Sequence, residues 1–156
     1  MKFLHQLGAV GSLGGFAACV VLVALAPRES LVEYAAWRAA IVAVGQWLLV
    51  PSLALVLVSG LLAIAIHRPY HDAGWAWVKA LLGLVMFEGT LLTVQASGRR
   101  AAEVAALAAQ SGTPDPAALE PLLRTEWLGL WTMLVLALAN IVLAVWRPRL
   151  GPRIGR

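Results

Sequence analysis

Four long stretches of the chain are almost free of charged residues, and this feature constrains the fold more than any other. They are residues 6–26, 39–66, 80–98 and 127–146. The third is interrupted only by Glu88. A helix needs about 20 apolar residues to cross roughly 30 Å of hydrocarbon, and a helix of a water-soluble core would show a polar outer face, which these stretches lack. The sequence therefore predicts an all-α, integral membrane four-helix bundle, with residues 1–156 forming one membrane domain.

The connections are predicted to be short, except for an extramembrane connection over residues 99–126. Residues 99–110 are rich in alanine and are expected to continue the third helix into water. Glycine and proline within 111–116 should end that helix, and a short helix then leads into the fourth span. The second span would be about 42 Å long as a helix, so we expect it to tilt, protrude or bend at Pro51, which lacks a backbone N–H.

The basic residues lie mainly at the ends of the apolar stretches, where they favour contact with a lipid bilayer over nucleic acid. An even number of spans places both termini on one side of the membrane. Basic residues are more numerous on that side, partly because of the arginines after position 146. The positive-inside rule then favours cytoplasmic N- and C-termini of a multi-pass protein. The single cysteine, Cys19, excludes an internal disulfide.

Small and polar residues form stripes on the first two predicted helices. The first stripe recurs at steps of three and four: His5, Gly8, Ser12, Gly15 and Cys19. It indicates either close helix–helix packing or the wall of a pocket for a planar cofactor or lipid-like substrate. The second recurs every seven residues and is expected to face the interior of the bundle: Arg38, Gly45, Ser52 and Ser59.

Glu88 is the one ionisable residue deep within a predicted span. Charge at such a depth costs about 2.5–3.5 kcal/mol on insertion scales. We expect Glu88 to be buried, protonated at neutral pH and hydrogen-bonded to a facing helix, with Asn140 as the first choice of partner. Gln95 lies seven residues further on and should share this buried polar face. A proton-handling, ligand-facing or subunit-facing role for Glu88 remains open.

Three histidines and a lysine are expected at the same membrane edge: His5, His67, His71 and Lys79. Neutral imidazole binds metal ions and haem iron. The three histidines, with Asp72 beside them, could therefore form a metal site. The alternative is that the two histidines of the proline-containing turn are simply solvated. The sequence has no Walker loop, HExxH or CxxC motif and no serine–histidine–acid arrangement.

Several short segments resemble the CopD/HemJ-like superfamily of small bacterial four-helix integral membrane proteins. They are residues 2–8 with glycines 14 and 15, 50–52 with 59–60, 75–81, 124–127 and 146–148. The superfamily includes HemJ-type protoporphyrinogen oxidases and the CopD-type copper-resistance membrane domain. The resemblance implies that His5 is a haem ligand, with Arg38, Lys79 and Arg124 near a polar or propionate-like group.

The third predicted span departs from the HemJ-type pattern because it contains no histidine. A haem held by two histidines would therefore need His67 or His71. From these features we expect a protein of the bacterial inner membrane that binds haem b, another tetrapyrrole or a copper-like metal ion near His5, with a redox, handling or transport role. The alternative is a non-catalytic accessory subunit that associates with itself or with other membrane subunits.

Overall fold

The computed structural model describes residues 2–71 and 73–146, and within them the chain forms helices and no strands. The five helices are α1 (Lys2–Leu25), α2 (Leu31–Ile66), α3 (Arg68–His71), α4 (Gly74–Ser111) and α5 (Pro116–Trp146). All except α3 are long and apolar enough to cross a membrane. The all-α class and the four long apolar helices are therefore confirmed.

The helix ends follow from local sequence signals. The hydroxyl of Ser30 accepts a hydrogen bond from the backbone N–H of Glu33 and so caps the start of α2. Gly112 ends α4 in the left-handed conformation (φ 70°), which glycine adopts without steric cost. Asp115 caps α5 by accepting a hydrogen bond from the N–H of Ala118 at 3.0 Å. The predicted break after α4 is confirmed, but α5 is continuous, with no separate short helix before its apolar part.

The four long helices pack as antiparallel neighbours. Along α1 the small-residue stripe contacts α2: a Cβ on Gly8 would lie 2.8 Å from the carbonyl oxygen of Ser52, and one on Gly15 would lie 3.2 Å from Leu49. The stripe therefore serves helix–helix packing, one of its two predicted roles. The first half of α2 packs against the second half of α4, and α5 closes the bundle against α4 and α1.

Apolar side chains cover the outside of the bundle, while polar groups lie within it. At most 28% of the residues in the most apolar window of each long helix are buried. Large side chains such as Trp47, Val10 and Leu92 are 76, 72 and 68% exposed. The buried polar residues are Ser12, Arg38, Ser59, Thr90, Gln95, Ser97 and Glu126. This distribution is the reverse of that in a water-soluble helical bundle.

Two of the long helices contain a π-helical turn. In α2 the turn spans Gly45–Leu49, and the N–H of Val50 bonds to the carbonyl of Gly45. In α4 it spans Thr90–Gln95. Each turn introduces one extra residue, so the following part of the helix is rotated by about 100° from a regular continuation. The predicted irregularity near Pro51 thus takes the form of a π-helical turn that precedes the proline.

The alanine-rich end of α4 is partly buried. Ala101, Ala105 and Ala108 are at most 8% exposed, and this segment packs mainly on the first half of α2 and on α5. Residues 99–110 continue the third long helix as expected, and one face of this part is packed within the bundle. Alanine allows the close approach, because its side chain adds little to the separation of the two helix axes.

Candidate functional site

The centre of the bundle contains an ion pair between α2 and α5. Nη2 of Arg38 lies 2.7 Å from Oε2 of Glu126, and each side chain is only 1% exposed. The same Nη2 also donates to the carbonyl oxygen of Gly98 on α4, at 3.4 Å. Arg38 therefore links three helices. Taking both charges out of water costs several kcal/mol per ion, which only close pairing offsets.

Small residues and the two π-helical turns make room for this pair. Gln95 ends the turn of α4 and faces Gly45, the first residue of the turn in α2, where a Cβ would overlap Nε2 of Gln95. A Cβ on Gly98 would lie 3.0 Å from Oε1 of Glu126. A cavity of about 10 Å³ lies between them, and its wall is formed by Cys19, Ile41, Val42, Gly45, Val94, Gln95, Gly98 and Glu126.

Several buried polar atoms in this region have no hydrogen-bond partner among residues 2–71 and 73–146. They are Nε of Arg38, Oε1 of Glu126, Oε1 of Gln95 and Oγ1 of Thr90. Buried polar atoms are usually paired, and an unpaired one calls for a specific explanation, such as a bound molecule. Unpaired polar atoms beside a cavity and two π-helical turns make this layer one candidate binding site in the described part of the chain.

Sequence reasoning missed Glu126. It was assigned to the extramembrane connection because it immediately precedes the fourth apolar stretch. In the structure α5 begins ten residues earlier, at Pro116, and Glu126 lies in its interior with no exposed surface. The available signal was the shared depth of two opposite charges, since Arg38 immediately precedes the second apolar stretch in the same way.

His5 lies near the other end of α1, about 21 Å along the helix from Cys19. Its side chain is half-buried. Nδ1 lies 3.2 Å from the carbonyl oxygen of Val56 and 3.0 Å from the hydroxyl of Ser59. That hydroxyl is also 2.6 Å from the carbonyl of Leu55, to which it donates. Both partners of Nδ1 therefore act as acceptors, which places the proton on Nδ1 and leaves the lone pair of Nε2 free in the neutral ring.

The other two histidines are not brought together with His5. His67 and His71 are exposed, and the ring of His67 stacks on Tyr70 with a centroid distance of 5.9 Å. Among residues 2–71 and 73–146 no three His, Cys, Asp or Glu side chains form a group that could hold a metal ion. Asp72, expected beside these histidines, lies outside the described residues.

The cations implied by the resemblance do not form one group either. Lys79 lies within electrostatic range of His5, and its Nζ donates to the backbone carbonyl of Asn140 at 3.2 Å. Arg38 is engaged with Glu126 in the central layer. Arg124 is exposed on α5. Only Lys79 therefore accompanies His5 at its end of the bundle.

Glu88 and Gln95 do not share the buried polar face on which both were expected. Gln95 is 6% exposed, but Glu88 lies on the outer surface of α4. Asn140 is half-buried, and no hydrogen bond joins it to Glu88. Its Oδ1 has no partner in the part of the chain that the structure describes. Two residues seven apart share a face of a regular helix, but the π-helical turn between them rotates Gln95 inward relative to Glu88.

Comparison of the chain with protein-family models, with curated proteins and with solved structures finds no match in any of the three.

Proposed function

We propose that the chain is an integral membrane protein whose four long helices cross the bacterial inner membrane, with both termini in the cytoplasm. Support comes from the apolar exterior, because monomeric soluble proteins rarely expose large contiguous apolar patches. The arginines after position 146, on which the orientation partly depends, lie outside the described residues. Membership of the CopD/HemJ-like superfamily is part of this proposal and rests on the short segments quoted above.

We further propose that the protein binds haem or another tetrapyrrole through Nε2 of His5, in a redox, handling or transport role. The observation that carries this is the hydrogen bonding of Nδ1 to Val56 and Ser59. Histidines that bind metals usually donate their other ring N–H to a carbonyl or similar acceptor, which fixes the ring and its tautomer. One histidine suffices as an axial ligand of haem iron. A copper-like ion would need further ligands, which favours the tetrapyrrole.

The absorption spectrum of the purified protein tests this assignment. Protein from haem-supplied cells should show a Soret band, and His5→Ala should abolish it. Ser59→Ala should weaken binding by about 10–100-fold, since it removes a group that orients the ligand. His67→Ala is the matched control, and its band should be unchanged. The proposal would be overturned if the wild-type protein had no Soret band and no bound metal and its spectrum were the same as that of His5→Ala. Loss of the band in His67→Ala would indicate two histidine ligands instead.

The alternative function is that of a non-catalytic accessory subunit, and the position of Glu88 favours it. This carboxyl is exposed on α4 among outward-facing leucines at positions 81, 84 and 92. A charged carboxyl that faces lipid near the middle of an apolar segment costs about 2.5–3.5 kcal/mol of insertion free energy. A hydrogen bond to a polar group on a neighbouring subunit would remove that cost. Purification in mild detergent tests this idea. A stable complex that dissociates in Glu88→Leu would support it, and a wild-type protein that migrates as a lone bundle would count against it.

A further inference from the structure

The cavity between α2, α4 and α5 presents two hydrogen-bond acceptors that have no partner among the described residues. They are Oε1 of Glu126 and Oε1 of Gln95, both of which are buried, and both residues line the cavity. The two oxygens are not hydrogen-bonded to each other, since neither a carboxylate nor an amide oxygen carries a proton. Glu126 and Gln95 are 0 and 6% exposed as whole residues, so bulk solvent does not satisfy these oxygens.

We infer that this cavity is a binding site for one water molecule, which donates one hydrogen bond to Glu126 and the other to Gln95. A water molecule has two donors, the number that two acceptors need. The cavity volume of about 10 Å³ corresponds to roughly one water molecule. Apolar cavities of larger size stay dry, but a polar cavity with two or more partners holds its water tightly.

The charge balance favours water over a metal cation. Arg38 lies 2.7 Å from the other oxygen of Glu126 and neutralises it, so the site as a whole carries no net negative charge. The remaining wall contributes Cys19, Ile41, Val42 and Val94, whose side chains offer no oxygen ligand. A hard cation needs several oxygen ligands, and this site supplies two with a guanidinium group beside them.

The two glycines of the wall are what leave room for the water. A Cβ on Gly98 would lie 3.0 Å from Oε1 of Glu126, and one on Gly45 would displace the amide of Gln95. The π-helical turn of α4 contributes as well, because it rotates Gln95 away from the outer surface and against Gly45 of α2. The water therefore connects α4 to α5 beside the ion pair that connects α2 to α5. The site is independent of any ligand at His5, which lies about 21 Å away along α1.

Solid-state NMR on the full-length, isotope-labelled protein in lipid bilayers tests the inference. Polarisation is transferred from water protons to side-chain carbons. The carboxyl carbon of Glu126 and the amide carbon of Gln95 should both receive it. The methyl carbons of Leu49 serve as the internal control, because this side chain is fully buried and does not line the cavity. Absence of transfer to both polar carbons would show that the cavity is dry and would overturn the inference.

Two variants test whether the water forms a bridge. Gln95→Met keeps a similar volume but removes one acceptor, so the transfer to Glu126 should fall several-fold. Gln46→Met is the matched control at an exposed glutamine of α2 and should leave the signal unchanged. Full transfer to Glu126 in Gln95→Met would exclude the bridge. A signal that changes when sodium is replaced by choline would show an ion site instead. If Gln95→Met fails to fold, the wild-type spectrum alone decides.

Discussion

Removing one partner of the buried ion pair should be among the most damaging single changes in this chain. In Glu126→Leu the guanidinium of Arg38 keeps only the carbonyl of Gly98, at 3.4 Å, and its Nε has no partner. In Arg38→Met the carboxylate of Glu126 loses its donor at 2.7 Å, while its second oxygen already lacks a protein partner. Either change leaves one charge buried without its counter-charge.

The expected losses follow from the burial of both side chains. Breaking a fully buried pair costs about 3–5 kcal/mol of unfolding free energy. Glu126→Leu should lie near the upper end of this range, because a guanidinium cannot lose its proton within a protein. Arg38→Met should lie near the lower end, because a carboxyl can neutralise itself by binding a proton. The double variant should recover most of both losses, since an apolar pair of similar volume is often neutral or stabilising.

Unfolding of the purified protein with a denaturing detergent, followed by the fluorescence of its seven tryptophans, measures these free energies. The matched control is Glu120→Leu with Arg124→Met, which removes the same two residue types at exposed positions of α5. That double change should alter stability by less than about 0.5 kcal/mol. Single variants costing under about 1 kcal/mol, or losses that add in the double variant, would refute the reasoning.

Three further predictions concern the packing of the helices. Gly45→Ala should destabilise the protein by about 1–3 kcal/mol, as overpacking does, because the new Cβ overlaps Gln95. In the same assay the control Gly14→Ala, whose Cβ would have no atom within 4 Å, should raise the free energy of unfolding by about 0.5–1 kcal/mol. Glu88→Leu should stabilise the isolated chain in lipid by about 2 kcal/mol or more, because it removes a carboxyl from an apolar surface. A lower free energy of unfolding would show instead that the carboxyl makes a stabilising contact within one chain. Gly112→Ala should lower stability by about 1 kcal/mol, since φ there is 70°; an unchanged midpoint would contradict a strained helix end.

The number and identity of the long helices could be predicted from the sequence, because the absence of charge over some 20 residues is a strong physical signal. The inward face of α2 was predictable in part. Of the four residues expected on it, Arg38, Gly45 and Ser59 are buried and Ser52 is half-buried. The end of α4 followed from the glycine and prolines within 111–116, because helix-ending signals depend only on local backbone geometry. Signals of this kind do not require knowledge of which helices are neighbours.

The faces of α4 could not be predicted, because its periodicity changes within the helix. Residues before the π-helical turn follow one register and residues after it follow another. Glu88 and Gln95 were therefore placed on one face by a rule that holds only for an uninterrupted α-helix. A π-helical turn has no established sequence signature comparable to proline or glycine, and its position emerges from packing. The burial of Glu126 was missed for a related reason, since an acid at the edge of an apolar stretch usually faces water.

The irregular features of this molecule occur in one layer. Both π-helical turns, the buried ion pair, the unpaired acceptors of Glu126 and Gln95 and the cavity between them lie together at the meeting point of α2, α4 and α5. Each of these features contributes less to the free energy of folding than the regular apolar packing around it. Departures from regular packing concentrate at functional sites in natural proteins. If the absorption spectrum shows no ligand at His5, this layer is the next place to seek function, and conservative changes at Gln95 and Glu126 are the first variants to assay.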